Sequence, residues 1–160
     1  MKLESEAMEF DYIPPIGSES FLKAGNLKYV NDSVYGIELN SSPSQLIEKM
    51  KNVDQNAEIV VKDASGNIKT TGIMKTKDVL EIKTAGQVFT FHCLIMGDCN
   101  GDGKISAIDY VMLENHITGI RKLKDVEFHA MNVNHDKKVS AIDYVMIENH
   151  ILKISIIPQH

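Results

Sequence analysis

The stretch from Asp98 to Ile117 reads DCNGDGKISAIDYVMLENHI, and residues 132–151 read NVNHDKKVSAIDYVMIENHI, thirty-four positions further along the chain. In both copies, oxygen-bearing side chains alternate through the first half, and an apolar, helix-like run follows. Eleven of the twelve residues in 106–117 are identical to those in 140–151. Such a close internal repeat indicates two copies of one structural unit.

Each copy begins with the spacing of a calcium-binding loop. Calcium binds roughly six to eight hard oxygens, so a tight loop has to turn alternate side chains toward one point. In the first copy, Gly103 at place six permits the sharp turn because glycine tolerates a positive φ. The predicted ligands of loop one are Asp98, Asn100, Asp102, the carbonyl group of Lys104, Ser106 acting through a water, and Asp109.

The second copy predicts a weaker calcium site. Place one is Asn132, which removes a negative charge, and place six is Lys137, which lacks the conformational freedom of glycine. Because calcium affinity falls with ligand charge, we expect weaker binding here, and a loop that has lost calcium binding is the alternative. The predicted ligands of loop two are Asn132, Asn134, Asp136, the carbonyl group of Lys138, Ser140 and Asp143.

The pattern changes at Gly97, where we place a domain boundary. Residues 1–20 hold two prolines, glycine and serine, which indicate a linker or the artificial start of a fragment. Residues 21–96 predict a small α+β module in the order β-β-α-β-β-β, with one helix lying on a sheet. Residues 97–160 predict an all-α domain of two loop–helix repeats, joined by a middle helix over about 121–131.

Two features of the predicted module are specific. A helix is expected over 41–51, because Ser42 is a good cap and Pro43 suits the first helical position. The run 87–96, QVFTFHCLIM, is too apolar for a strand with one face in water. We therefore expect it to be central in the sheet.

Charge and hydropathy exclude several classes of function. The net charge of −5 argues against a nucleic-acid partner. No apolar run approaches the roughly 18–20 residues of a membrane span. The first ten residues lack the apolar region of a signal peptide, which leaves a cytosolic protein or a piece of a longer secreted chain. Cys93 and Cys99 are interpreted as unpaired thiols, with a bridge between them as the alternative.

We find no catalytic constellation. The sequence offers no nucleophile–base pair, no paired carboxylates outside the loops and no phosphate-binding glycine loop, so any enzyme activity would belong to another part of the parent protein. A calcium sensor or buffer is the alternative function. It would need a helix entering each loop, whereas FTFHCLIM, which precedes loop one, is strand-like.

Two such units, without a standard entering helix before the first and with Asp at the last ligand place, resemble a type I dockerin with F-hand repeats. The resemblance covers about residues 97–157, and the preceding module is similar to the X-type modules found upstream of some dockerins. It implies a secreted, calcium-dependent module with two Ca2+ sites that is a monomer when free. Such a module binds a cohesin on a scaffoldin or cell-surface protein and attaches its parent to a cellulosome.

The resemblance also implies which residues face the cohesin: Ala107, Ile108, Glu114, Asn115, Ala141, Ile142, Glu148 and Asn149. Because the two sets are identical, we hypothesise binding in two orientations related by a half-turn. Ala-Ile stands where the best-known clostridial pattern has Ser-Thr, and Glu-Asn stands where it has a basic pair. The identity of the cohesin therefore stays open. His116 and His150 are interpreted as flanking this face or capping the helix C-termini.

Overall fold

The computed structural model describes residues 17–160, so most of the predicted linker lies outside the described residues. Residues 18–20 form the start of a helix that the sequence analysis did not predict. The elements in chain order are α1 (Ser18–Ala24), β1 (Lys28–Val30), β2 (Ser33–Tyr35), α2 (Pro43–Lys51), β3 (Glu58–Lys62), β4 (Val79–Thr84), β5 (Gln87–Cys93), α3 (Ala107–Ile117), α4 (Val126–Met131) and α5 (Ala141–Ile151).

The strands form one mixed sheet in the order β1-β2-β5-β4-β3. Strands β3, β4 and β5 pair antiparallel in sequence order, and β5 pairs with β2 in parallel. The central position of β5 was predicted from its apolar run. The architecture upstream of the repeats is α+β as predicted, although it has two helices rather than one. None of the helices within residues 17–160 is long and apolar enough to cross a membrane.

Helix α2 begins as the sequence predicts. The Ser42 hydroxyl accepts the N–H of Gln45 at 3.2 Å, and the Gln45 side chain accepts the N–H of Ser42 at 2.8 Å. Pro43 takes the first helical position, where a missing N–H costs nothing. Leu46 and Met50 bury the apolar face of the helix in the first hydrophobic core.

The segment 93–96, which we call the shared segment, belongs to two hydrophobic cores. Cys93 and Ile95 are buried in the core beneath the sheet, whereas Leu94 and Met96 are buried in the core of the C-terminal helices. Alternate side chains of an extended chain point to opposite sides. Burial on both sides therefore explains why residues 93–96 are all apolar, whereas residues 87–92 of the predicted run have one exposed face.

The part upstream of this segment, residues 17–92, is called the sheet module below. It packs against the C-terminal helices, since Val30 and Tyr35 contact their core. The chain end returns to the same place: the buried Gln159 side chain accepts the N–H of Met96 at 2.7 Å and donates to its carbonyl at 3.1 Å. The two parts are thus joined by packing as well as by the chain itself.

Candidate functional site

Loop one gathers three carboxylates next to the start of α3. Oxygen atoms of Asp98, Asp102 and Asp109 lie within 4.8 Å of one another. In residues 17–160 this is the only cluster of three or more acidic, histidine or cysteine side chains close enough to hold a metal ion. Because the donors are oxygens that carry negative charge, the cluster fits a hard divalent cation such as Ca2+.

Asp109 begins the helix and closes the loop at the same time. Its Oδ2 accepts the N–H of Ser106 at 2.9 Å, which completes a capping box at the start of α3. Its Oδ1 accepts the N–H groups of Cys99 at 2.7 Å and Asn100 at 3.1 Å. These bonds fix the carboxylate, and Oδ2, which accepts fewer N–H groups than Oδ1, has acceptor capacity left for a cation.

Asp98 is fully buried and accepts four backbone N–H groups. Its Oδ1 accepts from Gly101 and Asp102, each at 3.1 Å, and its Oδ2 accepts from Gly103 at 2.9 Å and Thr76 at 3.0 Å. Burial raises the pKa of Asp98 to about 6 despite these bonds. The buried charge is therefore costly, and a bound divalent cation would offset that cost.

Loop two repeats several of the hydrogen bonds of loop one. Asn132 Oδ1 accepts the N–H of Asp136 at 3.2 Å, and the Asn134 amide donates to Asp136 Oδ2 at 2.9 Å. Asp143 Oδ2 accepts the N–H of Ser140 at 2.9 Å, again as part of a capping box. The fold of the loop is thus preserved although only two carboxylates line it.

The backbone of loop two also keeps the turns that glycine provides in loop one. Gly101 and Gly103 have φ values of 75° and 83°, and the residues at the same places, His135 and Lys137, have φ values of 58° and 77°. A left-handed conformation costs a residue with a Cβ roughly 1–2 kcal/mol. Lys137 therefore adopts the turn that glycine makes more easily, at an energetic cost.

The remaining predicted ligands have varied surroundings. Lys104 and Lys138 are exposed, and their ammonium groups have no acceptor atom, so at these places only a carbonyl group is available to a cation. The hydroxyl oxygens of Ser106 and Ser140 accept N–H groups two residues further on, at 3.3 and 3.4 Å. An extended segment enters loop one, whereas the short helix α4 enters loop two.

Both helices that follow the loops expose the same side chains. Ile108 and Ile142 are each 57% exposed, and Val111 and Val145 are each 49% exposed. We call Ala107, Ile108, Val111 and Glu114 docking face one, and Ala141, Ile142, Val145 and Glu148 docking face two; all eight residues are exposed. The two valines were not predicted as docking residues from the sequence, although each lies three residues after its isoleucine.

Asn115 and Asn149, the other two residues expected to face a partner, are partly buried. Their carbonyl oxygens accept the N–H groups of Arg121 at 3.1 Å and Ile154 at 2.8 Å. These bonds hold the chain that leaves each helix. A role of their side chains in binding a partner stays a prediction.

The two repeated histidines hold the chain that follows each helix. His116 Nδ1 accepts the N–H of Leu123 at 2.8 Å, and His150 Nδ1 accepts the N–H of Ile157 at 3.1 Å. Burial lowers the pKa of both imidazoles. The favoured form is therefore neutral with the proton on Nε2, unlike the partly charged helix cap that the sequence suggested.

Residues 96–152 match the family model of the type I dockerin domain. Domains of this family are calcium-binding, non-catalytic modules that bind cohesins. The matched segment contains both loops and the three C-terminal helices. No curated protein and no solved structure matched the chain. The similarity of the upstream part to X-type modules stays a prediction.

Proposed function

We propose that the C-terminal part of the chain binds a cohesin of a scaffoldin or cell-surface protein when calcium is bound. In this way it attaches its parent protein to an extracellular, cellulosome-type complex. The observation that carries the proposal is the duplication of an exposed apolar face beside each loop. Core packing tolerates swaps even between buried residues of similar volume, so it does not explain why these four pairs of exposed residues are identical.

Each loop and the helix after it would form one F-hand, with calcium in a structural role. Asp109 and Asp143 each contribute to a loop and to the capping box of the following helix. Calcium binding would therefore stabilise the start of α3 and α5, which carry the docking faces. We propose two sites, of which loop two is the weaker because it has fewer carboxylates and a strained turn.

Two binding orientations are supported by the equal exposure of the two docking faces. Ile108 and Ile142 keep the same exposed fraction, 57%, in the presence of the sheet module. The sheet module therefore covers neither face. A half-turn of the protein would present the same isoleucine, valine and glutamate side chains to one cohesin.

The side chains of the docking faces indicate which residue types a complementary partner surface would have. Each face combines three apolar side chains, those of alanine, isoleucine and valine, with an exposed glutamate, Glu114 or Glu148. A complementary cohesin surface would have an apolar patch bordered by basic side chains. The alternative function, a calcium sensor, is not supported. A sensor would need a helix entering each loop, whereas an extended segment enters loop one, and Met131 is buried in the core.

A binding assay with a panel of immobilised cohesins tests the proposal. The full chain should be captured by at least one cohesin in millimolar calcium and released by chelator. Asp109→Asn should weaken capture, because it removes a loop charge. Asp125→Asn is the matched control, since Asp125 is exposed and makes no side-chain cap bond to α4. A folded, calcium-loaded chain that binds no cohesin, or binds equally well in chelator, would contradict the proposal.

A further inference from the structure

One of the four N–H groups that Asp98 accepts comes from outside the repeat. It belongs to Thr76, a residue of the sheet module that is only 1% exposed. The bond to Asp98 Oδ2 is 3.0 Å long and joins residues 22 positions apart. The first ligand of loop one is therefore oriented partly by the sheet module.

Thr76 is itself fixed to the segment that leads into loop one. Its hydroxyl accepts the N–H of Ile95 at 2.9 Å and donates to the carbonyl of the same residue at 3.1 Å. Ile95 lies three residues before Asp98. Thr76 thus contacts the chain on the way into the loop and the carboxylate at its first place.

A buried ion pair holds the strand-to-strand connection that carries Thr76. Asp78 Oδ2 accepts from Lys69 Nζ at 2.6 Å and from the N–H of Lys75 at 2.8 Å. The Asp78 and Lys69 side chains are only 3% and 10% exposed. Lys69 also donates to the carbonyl of Ile73 at 2.6 Å. The ion pair therefore connects the segment before Thr76 to the residues that follow it.

The glycines of loop one fit closely against this connection. A Cβ on Gly101 would lie 2.9 Å from the Thr76 carbonyl oxygen, and a Cβ on Gly103 would lie 2.6 Å from Ile73 Cδ1. The same places in loop two hold His135 and Lys137, which are both exposed. The sheet module therefore approaches the two loops differently.

The first residue of loop two is oriented from within the loop itself. Within the described residues, the hydrogen bond to the side-chain oxygen of its first residue, Asn132, comes from Asp136 of the same loop. The sheet module contacts loop two by a different route, since the rings of Tyr35 and His135 stack with centroids 4.7 Å apart. That contact does not reach a predicted ligand.

We propose that the sheet module is a positioning part of calcium site one. The Lys69–Asp78 pair holds Thr76, and the Thr76 N–H orients Asp98. The calcium affinity of loop one depends on this chain of contacts, whereas the calcium affinity of loop two does not. The inference rests on the proposed calcium binding. By linkage, calcium at loop one would in turn stabilise the sheet module.

A calcium titration of the full chain, followed by NMR, separates the two loops. The amide signals of Gly103 and Lys137 report loops one and two. Asp78→Asn removes the charge that holds Lys69 and lies outside both loops. Glu81→Gln is the matched control, because Glu81 pairs with Lys62 and Lys83 on the sheet. We expect Asp78→Asn to raise the calcium midpoint of Gly103 by about tenfold or more, and Glu81→Gln to change neither midpoint.

A measurement on the unaltered chain does not depend on whether the variant folds. The amide signal of Thr76 should respond to calcium with the midpoint of Gly103 rather than that of Lys137. Equal shifts of both midpoints in Asp78→Asn, or a Thr76 amide that ignores calcium while Gly103 responds, would overturn the inference and leave the proposed function intact. An unaltered chain in which neither Gly103 nor Lys137 responds would overturn both.

Discussion

The rings of Tyr110 and Tyr144 stack with centroids 4.2 Å apart and an interplanar angle of 19°. The two tyrosines are matching residues of the two repeats, and their contact lies where α3 meets α5. Equivalent residues that contact each other across two copies of one unit indicate an approximate twofold relation. The docking faces, which begin three residues before each tyrosine, are related in the same way.

Substitutions in the two docking faces test whether they are equivalent. If both orientations are used equally, Ile108→Asp or Ile142→Asp alone should lower cohesin affinity by only about twofold, because one of two equal modes remains. The double variant should lose about a hundredfold or more, since a charge then faces the apolar partner in either mode. Calorimetric titration of a cohesin with each variant gives the three affinities.

Ile154→Asp is the control for these variants, because Ile154 is 68% exposed but lies outside both docking faces. It should bind as the unaltered chain does. A single substitution that abolishes binding, while its counterpart in the other repeat has no effect, would show that only one face is used.

Reversing the charge of the docking faces tests the predicted basic border of the partner. The double variant Glu114→Lys and Glu148→Lys should slow association with a cohesin by about tenfold at low salt, and added salt should reduce the difference. Association rates from surface plasmon resonance measure this. Glu58→Lys changes an exposed glutamate on the sheet and should have little effect. Faster association of the charge-reversed double variant would mean that the partner surface is acidic.

Repairing loop two tests why it should be the weaker site. Asn132→Asp restores the missing charge, and Lys137→Gly relieves a left-handed residue with φ of 77°. Together they should raise the calcium affinity of loop two by about tenfold or more, because both ligand charge and loop strain improve. The Lys124→Gly substitution is a control, since Lys124 is exposed, lies outside both loops and has no positive φ, so it should leave the calcium affinity of loop two unchanged. An unchanged loop-two affinity in the repaired chain would count against this explanation.

The repeated histidines predict a pH dependence of stability. The pKa of His116 and of His150 is lowered by burial from the ordinary value of 6.5, so the unfolded chain binds more protons below that pH. The free energy of unfolding should therefore fall as the pH decreases from 6.5 toward 5. Denaturant unfolding in saturating calcium measures the slope.

Replacement of both residues by Asn should reduce this slope, because the amide oxygen can still accept the backbone N–H but does not titrate. Part of the slope should remain, since burial also lowers the pKa of His129 and His135. Replacement by Leu should destabilise the chain at every pH, because the N–H groups of Leu123 and Ile157 then lose their acceptor. A slope that both Asn substitutions leave unchanged would show that the two histidines do not set it.

The sequence predicted those features that depend on residues close together in the chain. The capping box of α2 and the alternating oxygens of the two loops involve neighbours within a few positions. The central place of β5 followed from its continuous apolar run. Helix α1 was missed because its seven residues have no cap signal and depend on the burial of Phe21 and Leu22 in the first core.

Contacts between distant residues could not be predicted in this way. Nothing in the sequence near Thr76 indicates that its N–H reaches Asp98, since only the packing of the sheet module against loop one brings them together. The role of His116 was also hidden, because the N–H that it accepts lies seven residues away, beyond the end of the helix. Val111 was not predicted as part of the docking face, because its exposure depends on how α3 packs in the fold.

Calcium stoichiometry of the chelator-stripped chain, measured by calorimetry with helix content followed by circular dichroism, tests the central claim most directly. We predict two bound ions, the first tighter than the second, and a gain of helix as they bind. The first step should be lost in Asp98→Asn and the second in Asp143→Asn. No binding at millimolar calcium, or binding that leaves the helix content unchanged, would contradict the account of the repeat as two calcium-stabilised docking faces.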